Sequence, residues 1–293
     1  MQTVALGVGF GLVTGAILGL AAVGFTLQYA VSDIPNLAYG ELLTYGAYAG
    51  YLTTRWVHSF SAEALAAATA GGLVAWAMNA GMIEPFVRAR VRTIAIFIGT
   101  LAVSQILQNL LLLVFGGANV AYVLPPGALH HVGPFLWTVR DGQVMAAAFV
   151  VMLLVFLMLQ CTRFGKSLRA VSENRALARA SGVDAHRVVQ GTWFLAGAVA
   201  GFAGFVLAVT AGTLTPSFGF RFLLVTVTGA VAGGLGKPYG AMAAALILGL
   251  AMEVGAFYVD AAYKPLIAFG ILVLVLLFRP DGLFASSVGR GVE

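Results

Sequence analysis

The feature that most constrains this chain is a succession of long apolar stretches. Nine of them approach the length of about 20 residues that an apolar helix needs to cross a bilayer. No soluble core has room for so many apolar faces, so the sequence predicts an all-α, polytopic transmembrane helical bundle of about 8–10 helices. The stretches cover residues 4–30, 36–54, 62–82, 93–116, 142–161, 188–211, 220–236, 239–259 and 264–279.

The scarcity of charge points the same way. Asp, Glu, Lys and Arg make up 9% of the 293 residues and hydrophobic residues 60%, whereas soluble domains average about 25% charged residues. The first stretch follows Met1-Gln2-Thr3, which has no cationic segment, and continues to about Ala30. This indicates a retained membrane helix rather than a signal peptide. We expect one transmembrane domain over residues 1–293.

The cations are unevenly distributed between the predicted loops. With nine crossings, 12 of the 16 Lys and Arg residues fall on one side. Cytoplasmic loops collect Lys and Arg, so we expect a cytoplasmic C-terminus. The net charge of +5 then reflects topology, and no basic run has the interleaved aromatic residues of a nucleic-acid site. The twelve are Arg88, Arg90, Arg92, Arg163, Lys166, Arg169, Arg175, Arg179, Arg187, Lys237, Arg279 and Arg290; the other four are Arg55, Arg140, Arg221 and Lys264.

Two of the apolar segments, 36–54 and 220–236, are short, and each follows a proline. Each is therefore either a full span or a half-helix or re-entrant element. Their surroundings echo each other, since Tyr39-Gly40 and Phe218-Gly219 occupy similar places after a glycine-rich helix. In the predicted topology the two segments run in opposite senses, which indicates a possible inverted repeat. Transporters often place their pathway between such repeats.

Two predicted loops are longer than the rest. The external loop covers about residues 117–141 and contains three prolines. The cytoplasmic loop covers about residues 163–187 and has a helix-forming composition. Gly182 is a suitable helix stop, and Asp184 is a suitable N-cap for the next helix.

Glycines at four-residue spacing give several helices a face without side chains. Such faces let another helix backbone approach closely, so we expect them to be packing surfaces. The first helix carries Gly7, Gly11, Gly15 and Gly19, and the pair Gly229 and Gly233 repeats the spacing.

Two carboxylates, Glu41 and Glu253, fall inside apolar segments. An intramembrane carboxylate must be protonated, paired or in contact with water, so each is a functional candidate. Glu253 lies deep in its segment, where it either lines a pathway or pairs with another helix. Glu41 lies near the cytoplasmic end of its segment, where we expect a solvated or pairing role. A polar set in the fourth segment, largely on one helical face, either bonds to another helix or lines a passage: Ser104, Gln105, Gln108 and Asn109.

No motif indicates an enzyme. The chain has no Gly-x-x-x-x-Gly-Lys-Ser/Thr nucleotide loop, and none of its four histidines has a carboxylate at metal-ligand spacing. The lone Cys161 forms no internal disulfide. We expect this chain to have no catalytic residues and to bind no cofactor or metal.

Four stretches follow one another along nearly the whole chain. They are Asn36-Leu37-Ala38-Tyr39-Gly40-Glu41-Leu42 with Gly46-Ala47-Tyr48; Gly165, Arg169-Ala170, Asn174, Ala178 and Gly182-Val183; Gly229-Ala230-Val231-Ala232-Gly233-Gly234-Leu235-Gly236 with Pro238 and Gly240; and Phe278-Arg279-Pro280-Asp281-Gly282-Leu283-Phe284. In these stretches the chain resembles the branched-chain amino acid (Liv-type) ABC transporter permease family. Leu37 and Tyr39 depart from the family's pattern, which has an aromatic residue and a histidine there.

This resemblance implies a permease subunit of an ABC importer in the bacterial cytoplasmic (inner) membrane, translocating amino acids of the branched-chain class. A second, usually different, permease subunit would complete the channel. Two cytoplasmic ATPase subunits would use ATP, and an external binding protein would deliver the substrate. The ATPases would dock on the cytoplasmic loop, at Arg169, Ala170, Glu173, Asn174, Arg175, Ala178 and Gly182.

The residues also leave a second class open. A self-sufficient channel or ion-coupled secondary transporter for a small polar solute would use Glu41 or Glu253 as its coupling site. The long helical cytoplasmic loop argues against it, as does the lack of paired acidic residues deep in several segments.

Overall fold

The chain is almost entirely helical where its structure is described. The computed structural model describes residues 2–122, 129–132 and 135–284. Within these ranges there are twelve α-helices. They are α1 Gln2–Ser32, α2 Tyr39–Thr54, α3 Phe60–Met78, α4 Glu84–Arg88, α5 Thr93–Phe115, α6 Val139–Cys161, α7 Arg163–Glu173, α8 Arg175–Ala180, α9 Ala185–Ala211, α10 Phe218–Gly233, α11 Pro238–Ala256 and α12 Lys264–Phe278.

The nine predicted segments correspond in order to α1, α2, α3, α5, α6, α9, α10, α11 and α12. Seven helices of the described chain are long and apolar enough to cross a membrane. One of the seven, Phe60–Arg88, consists of α3, the π-helical turn Asn79–Ile83 and α4. The protein is therefore a multi-pass membrane protein, and the predicted fold class is confirmed.

The helices form a buried centre and an exposed periphery. In the most apolar part of α1 and of α9, 78% and 72% of the residues are buried, against 22% in α5 and 6% in the span that ends with α12. The centre of the bundle is thus built on α1 and α9. The apolar outer faces of α5, α6 and α12 are left to lipid or to a partner.

The glycines of α1 lie against α11. A Cβ on Gly11 would come within 2.8 Å of the Leu250 backbone, and one on Gly15 within 2.9 Å of the Leu246 carbonyl oxygen. Gly7 faces Phe257, while Gly19 has room for a Cβ at ordinary contact distances. Near the other end of the bundle, a Cβ on Gly229 or Gly233 would meet Ala245 or the Gly240–Ala241 backbone of α11, respectively.

The helices α1, α2 and α3 and the helices α9, α10 and α11 make corresponding contacts. We match α1 with α9, α2 with α10 and α3 with α11. The contact of α1 with α11 then corresponds to that of α9 with α3, and the contact of α2 with α3 corresponds to that of α10 with α11. The remaining cross-contacts correspond too, since α2 lies against α9 and α10 against α1. This is the arrangement of two interlocked repeats, as the sequence echo indicated.

The two short helices are half-helices that begin near the middle of the bundle. Each has 16 residues, or about 24 Å, less than the hydrocarbon thickness of about 30 Å. Just before α2, the Leu37 amide bonds to Thr100, which lies seven residues, or about 10 Å, into α5. At the start of α10, the Gly219 backbone meets Gly40, the second residue of α2, so the two helices begin at the same level.

From this level the two half-helices run in opposite directions. Tyr48 of α2 packs on Phe115 at the C-terminal end of α5. Gly233, at the C-terminal end of α10, meets Gly240 near the start of α11. Each half-helix covers the distance from the middle of the bundle to one end, and the loop before it covers the other half.

The predicted external loop carries short strands. Val120–Ala121 pairs antiparallel with Thr213–Leu214, and Leu129–Val132 pairs antiparallel with Phe135–Thr138. The first pair ties the loop after α5 to the loop after α9. The three loop prolines, Pro125, Pro126 and Pro134, and the C-terminal Arg290 lie outside the described residues.

Candidate functional site

The loop before α2 is held at mid-bundle by polar side chains. The Asn36 amide oxygen accepts from the Ala38 amide at 2.9 Å, and its nitrogen donates to the Gln28 side chain at 2.9 Å. The Leu37 amide donates to the Thr100 hydroxyl at 3.1 Å. Non-helical backbone within a membrane needs such partners because lipid supplies none. These side chains therefore allow the chain to break its helix here.

The first turns of α2 and α10 touch at Gly40 and Gly219. A Cβ added to Gly219 would collide with the Gly40 carbonyl oxygen. The Thr44 hydroxyl bridges the two helices, because it donates to the Gly40 carbonyl at 3.2 Å and accepts from the Gly219 amide at 3.0 Å. Two helix N-termini thus converge on one point at the centre of the bundle, where their partial positive charges add.

Glu41 lies beside this crossing and is fully buried. The Ser104 hydroxyl donates to its Oε1 at 3.2 Å, and its Oε2 bonds to no other group in the described ranges. Its predicted place near the cytoplasmic end is wrong, because α2 begins at mid-bundle and not at the membrane surface. No ion pair reaches it from the described residues, so it remains a candidate pathway residue.

The polar residues of α5 differ in burial. Ser104 is buried against Glu41, Gln108 is half-buried, and Gln105 and Asn109 are exposed. The four side chains span about 140° around the helix, so the predicted polar face extends from the buried to the exposed side of α5. The exposed pair borders a cavity of about 350 Å³ at the start of α10, where Arg221 supplies the only charge among the described lining residues.

Glu253 is ion-paired away from this cavity. The Lys264 ammonium lies 2.8 Å from its Oε1 and 2.7 Å from its Oε2, and the Thr14 hydroxyl donates to Oε1 at 2.8 Å. The cluster joins α1 and α11 to the start of α12. Of the two roles that the sequence left open, the geometry matches pairing with another helix.

The cytoplasmic loop forms two helices rather than one. Asn174 interrupts the run with an extended backbone and caps α8, its side chain accepting from the Leu177 amide at 2.9 Å. Gly182 ends the loop in the left-handed region at φ 82°. Asp184 caps α9 through the amides of His186 and Arg187.

The loop side chains point in different directions. Arg169, Glu173 and Asn174 are exposed, Ala170 is half-buried, and Ala178 is buried. Arg175 turns inward, with its Nε buried. Leu177 stands out in the other direction with 64% of its surface exposed. The sequence prediction omitted Leu177, although an apolar residue in a charged loop is a signal for a contact surface.

The last two family-like stretches meet at the loop between α10 and α11. The Leu283 amide donates to the Ala232 carbonyl at 2.8 Å. Gly282 approaches the Gly234 backbone, and both glycines have positive φ. Between this loop and α7 lies an open cavity of about 700 Å³ that Arg169 and Glu173 border.

Comparisons with known proteins agree with one another. The sequence model of the family described as "Branched-chain amino acid transport system / permease component" matches residues 7–276. The chain is 29% identical over 289 residues to the high-affinity branched-chain amino acid transport system permease protein LivH of Escherichia coli (strain K12), covering 93% of this chain and 92% of that protein. It is 27% identical to BraD, the corresponding Pseudomonas aeruginosa permease protein, with 93% of each covered.

More distant similarities extend to a second permease and to a solved structure. The E. coli permease protein LivM is 27% identical over 298 residues, covering 92% of this chain and 68% of LivM. The solved structure of PsaBC from Streptococcus pneumoniae in complex with Fab has a chain with a TM-score of 0.54 and 15% identity, and the match covers 93% of this chain and 91% of that one. At this identity the likeness concerns the fold.

Proposed function

Because the chain belongs to the family of branched-chain amino acid transport permease components, we propose that it forms half of the membrane channel of a bacterial ABC importer for amino acids of the branched-chain class. It is a transport subunit and not an enzyme. In this proposal ATP is bound and hydrolysed by two separate cytoplasmic subunits, and an external binding protein delivers the substrate. The chain itself binds no cofactor.

The observation that carries the proposal is the crossing of the two half-helices at Gly40 and Gly219. Broken helices that converge at mid-membrane between two repeats are where transporters place their pathway. A small opening of this crossing would connect the polar cavity at Gln105 and Asn109 with the opposite end of the bundle. Arg221 and the α10 N-terminus would attract the substrate carboxylate there.

A second permease subunit would cover the exposed polar face of α5. Gln105 and Asn109 face outward on the isolated chain, and lipid does not satisfy amide side chains. A pathway between two permease subunits gives these amides water and substrate as partners. We expect the second subunit to be a different chain.

The ATPase subunits would dock on α7 and α8. The exposed Leu177 would enter an apolar pocket of the ATPase, and Arg169, Glu173 and Asn174 would form the polar rim around it. The short helices rest on the bundle through Gly165, whose Cβ would collide with the Leu159 backbone. A push on α7 would therefore move α6.

The proposed orientation places α7, α8 and the C-terminus in the cytoplasm of a cell whose inner membrane holds the protein. It rests on the loop charges, and the packing agrees with it. Arg88 of one basic loop and Arg175 of the other border the same cavity. The two loops thus lie at the same end of the bundle, as the charge distribution requires.

Co-purification tests this proposal. The tagged chain is extracted from membranes in mild detergent, and its companions are identified by mass spectrometry. We expect a nucleotide-loop ATPase and a second permease, and in Leu177→Asp we expect the ATPase to be lost while the second permease is retained. Recovery of the chain alone under repeated mild conditions would contradict the proposal.

One observation favours a second candidate function. A fully buried carboxylate such as Glu41 could couple transport to an ion or proton in a self-sufficient secondary transporter. Uptake by the chain alone, driven by an ion gradient and lost in Glu41→Gln, would support that function.

A further inference from the structure

A cavity of about 390 Å³ lies where the cytoplasmic loop meets the bundle, apart from the half-helix crossing. Its walls come from the C-terminal ends of α1 and of the α3–α4 helix, from α8, and from the first turns of α9. Four basic side chains border the cavity, namely Arg88, Arg175, Arg179 and His186. Its described lining contains one carboxylate, that of Glu84.

The carboxylate in the cavity is already engaged. Glu84 pairs with Arg88 and His186 through Oε1, and its Oε2 accepts from the Gln190 side chain at 2.8 Å. Neither Arg175 nor Arg179 forms an ion pair with any residue of the described chain. Burial and the neighbouring cations Arg179 and Arg88 lower the pKa of Arg175, and the nearby Glu84 carboxylate opposes this shift without cancelling it. The positive charge of this cavity is thus in excess over what the protein neutralises.

Three lining residues also carry buried nitrogen donors that find no acceptor within the described ranges. They are Nε of Arg175, Nδ2 of Asn79 and Nε1 of Trp193. Asn79 and Trp193 are each 1% exposed, so bulk water does not replace the missing bonds. All three groups are donors, so an acceptor is the group that would satisfy them.

We propose that this cavity binds one oxyanion, a phosphate or carboxylate group, between Arg175, Asn79 and Trp193. An arginine fork and two neutral N–H donors match the several acceptor oxygens of such a group. Arg88 and Arg179, which are exposed, form the entrance and attract the anion. The bound anion would tie α8 to the π-helical turn after α3 and to α9, and so stiffen the cytoplasmic loop.

Two sources can supply this chemistry. The cavity lies at helix ends, the level at which basic pockets between membrane helices take lipid headgroups. A soluble phosphate or carboxylate can also reach it from the aqueous side. The site chemistry is the same for both, and the experiment separates them.

Binding is measured on the full chain as the shift of its melting temperature with added probe at constant ionic strength. One arm titrates inorganic phosphate in detergent. The other compares vesicles of phosphatidylcholine with vesicles that also contain phosphatidylglycerol. Saturable stabilisation by phosphate identifies a soluble anion, and stabilisation by phosphatidylglycerol without a phosphate effect identifies a lipid headgroup.

Variants tie the effect to the cavity. Arg175→Gln is expected to weaken binding about tenfold, the effect of losing a charge-assisted hydrogen bond. Trp193→Phe keeps the ring, loses only the donor, and should weaken binding severalfold, which keeps the test valid if Arg175→Gln does not fold. Lys166→Gln is the control, since it removes an exposed cation of the same loop outside the cavity. The inference is overturned if neither probe stabilises the chain, or if Lys166→Gln weakens binding as much as Arg175→Gln.

Discussion

Replacing Gly219 by alanine should disrupt the crossing of the half-helices. The new Cβ would collide with the Gly40 carbonyl oxygen and lie 2.6 Å from the Thr44 hydroxyl. Because the first obstacle is backbone, no rotamer change relieves it, and overpacking of this kind costs about 1–3 kcal/mol. Displacement of α10 would also weaken the bond from the Gly219 amide to Thr44, worth about 1 kcal/mol.

The gain in helix propensity opposes these losses. Alanine is favoured over glycine by about 1 kcal/mol in a helix, so the net destabilisation is about 1–3 kcal/mol. For a chain of this size that corresponds to a fall in melting temperature of several degrees, at about 2–4 °C per kcal/mol. We expect uptake to fall further than stability, because the clash sits on the proposed pathway.

Gly142→Ala is the matched control. Gly142 also lies in the first turn of a helix, α6, and a Cβ there would meet nothing within 4 Å. It should leave the melting temperature unchanged or raise it. The assay is fluorescence-detected gel filtration after heating, together with uptake in proteoliposomes. Equal melting temperatures for the Gly219 and Gly142 variants would refute the close crossing.

Three other substitutions test separate contacts. Leu177→Ala should leave the melting temperature unchanged but reduce ATPase recovery about tenfold, since burying a leucine side chain contributes about 1.5–3 kcal/mol to the binding free energy. Full recovery of the ATPase would show that this residue is not part of the docking surface. Glu253→Gln should destabilise the chain by about 1–3 kcal/mol because it leaves Lys264 unpaired, while uptake per folded molecule stays normal. Adding Lys264→Met should restore part of the lost stability. An unchanged melting temperature in the single variant would show that the pair does not stabilise the fold. Glu41→Gln keeps the Ser104 hydrogen bond and buries no charge, so its melting temperature should be at least that of the unmodified chain and ATP-driven uptake should persist. Loss of uptake in this folded variant would instead favour ion coupling.

The course of the helices was largely predictable from the sequence. Apolar length located nine segments, and the shortness of two of them pointed to half-helices. Gly182 and Asp184 gave the end of the cytoplasmic loop and the start of α9, because caps depend on local chemistry.

What the sequence did not reveal depends on depth and on long-range contact. The sequence predicts Glu41 near the surface because it gives the position along a segment and not the depth in the membrane, and a helix that starts at mid-bundle breaks that relation. Ser104 and Gln105 differ by 100° around α5, enough to separate a buried face from an exposed one. The cap at Asn174 splits the loop helix because its side chain competes for a backbone amide.

The contacts that define the candidate site join residues far apart in sequence. Gly40 and Gly219 occupy corresponding positions in the two repeats, but no local sequence pattern predicts that they are in contact. The same holds for Thr44, which bonds to an amide 175 residues away, and for the cavity donors on Asn79 and Trp193. The family-like stretch around Asn36 marked the right region without giving the role of any side chain.

The central claim is that this chain works as half of an ATP-driven channel. The most direct measurement is uptake of radiolabelled leucine into proteoliposomes that contain the chain, its second permease and both ATPases, with the binding protein on the delivery side. We predict uptake that requires ATP and stops when any component is omitted. Leucine uptake by this chain alone, driven by an ion gradient and indifferent to ATP, would contradict the account.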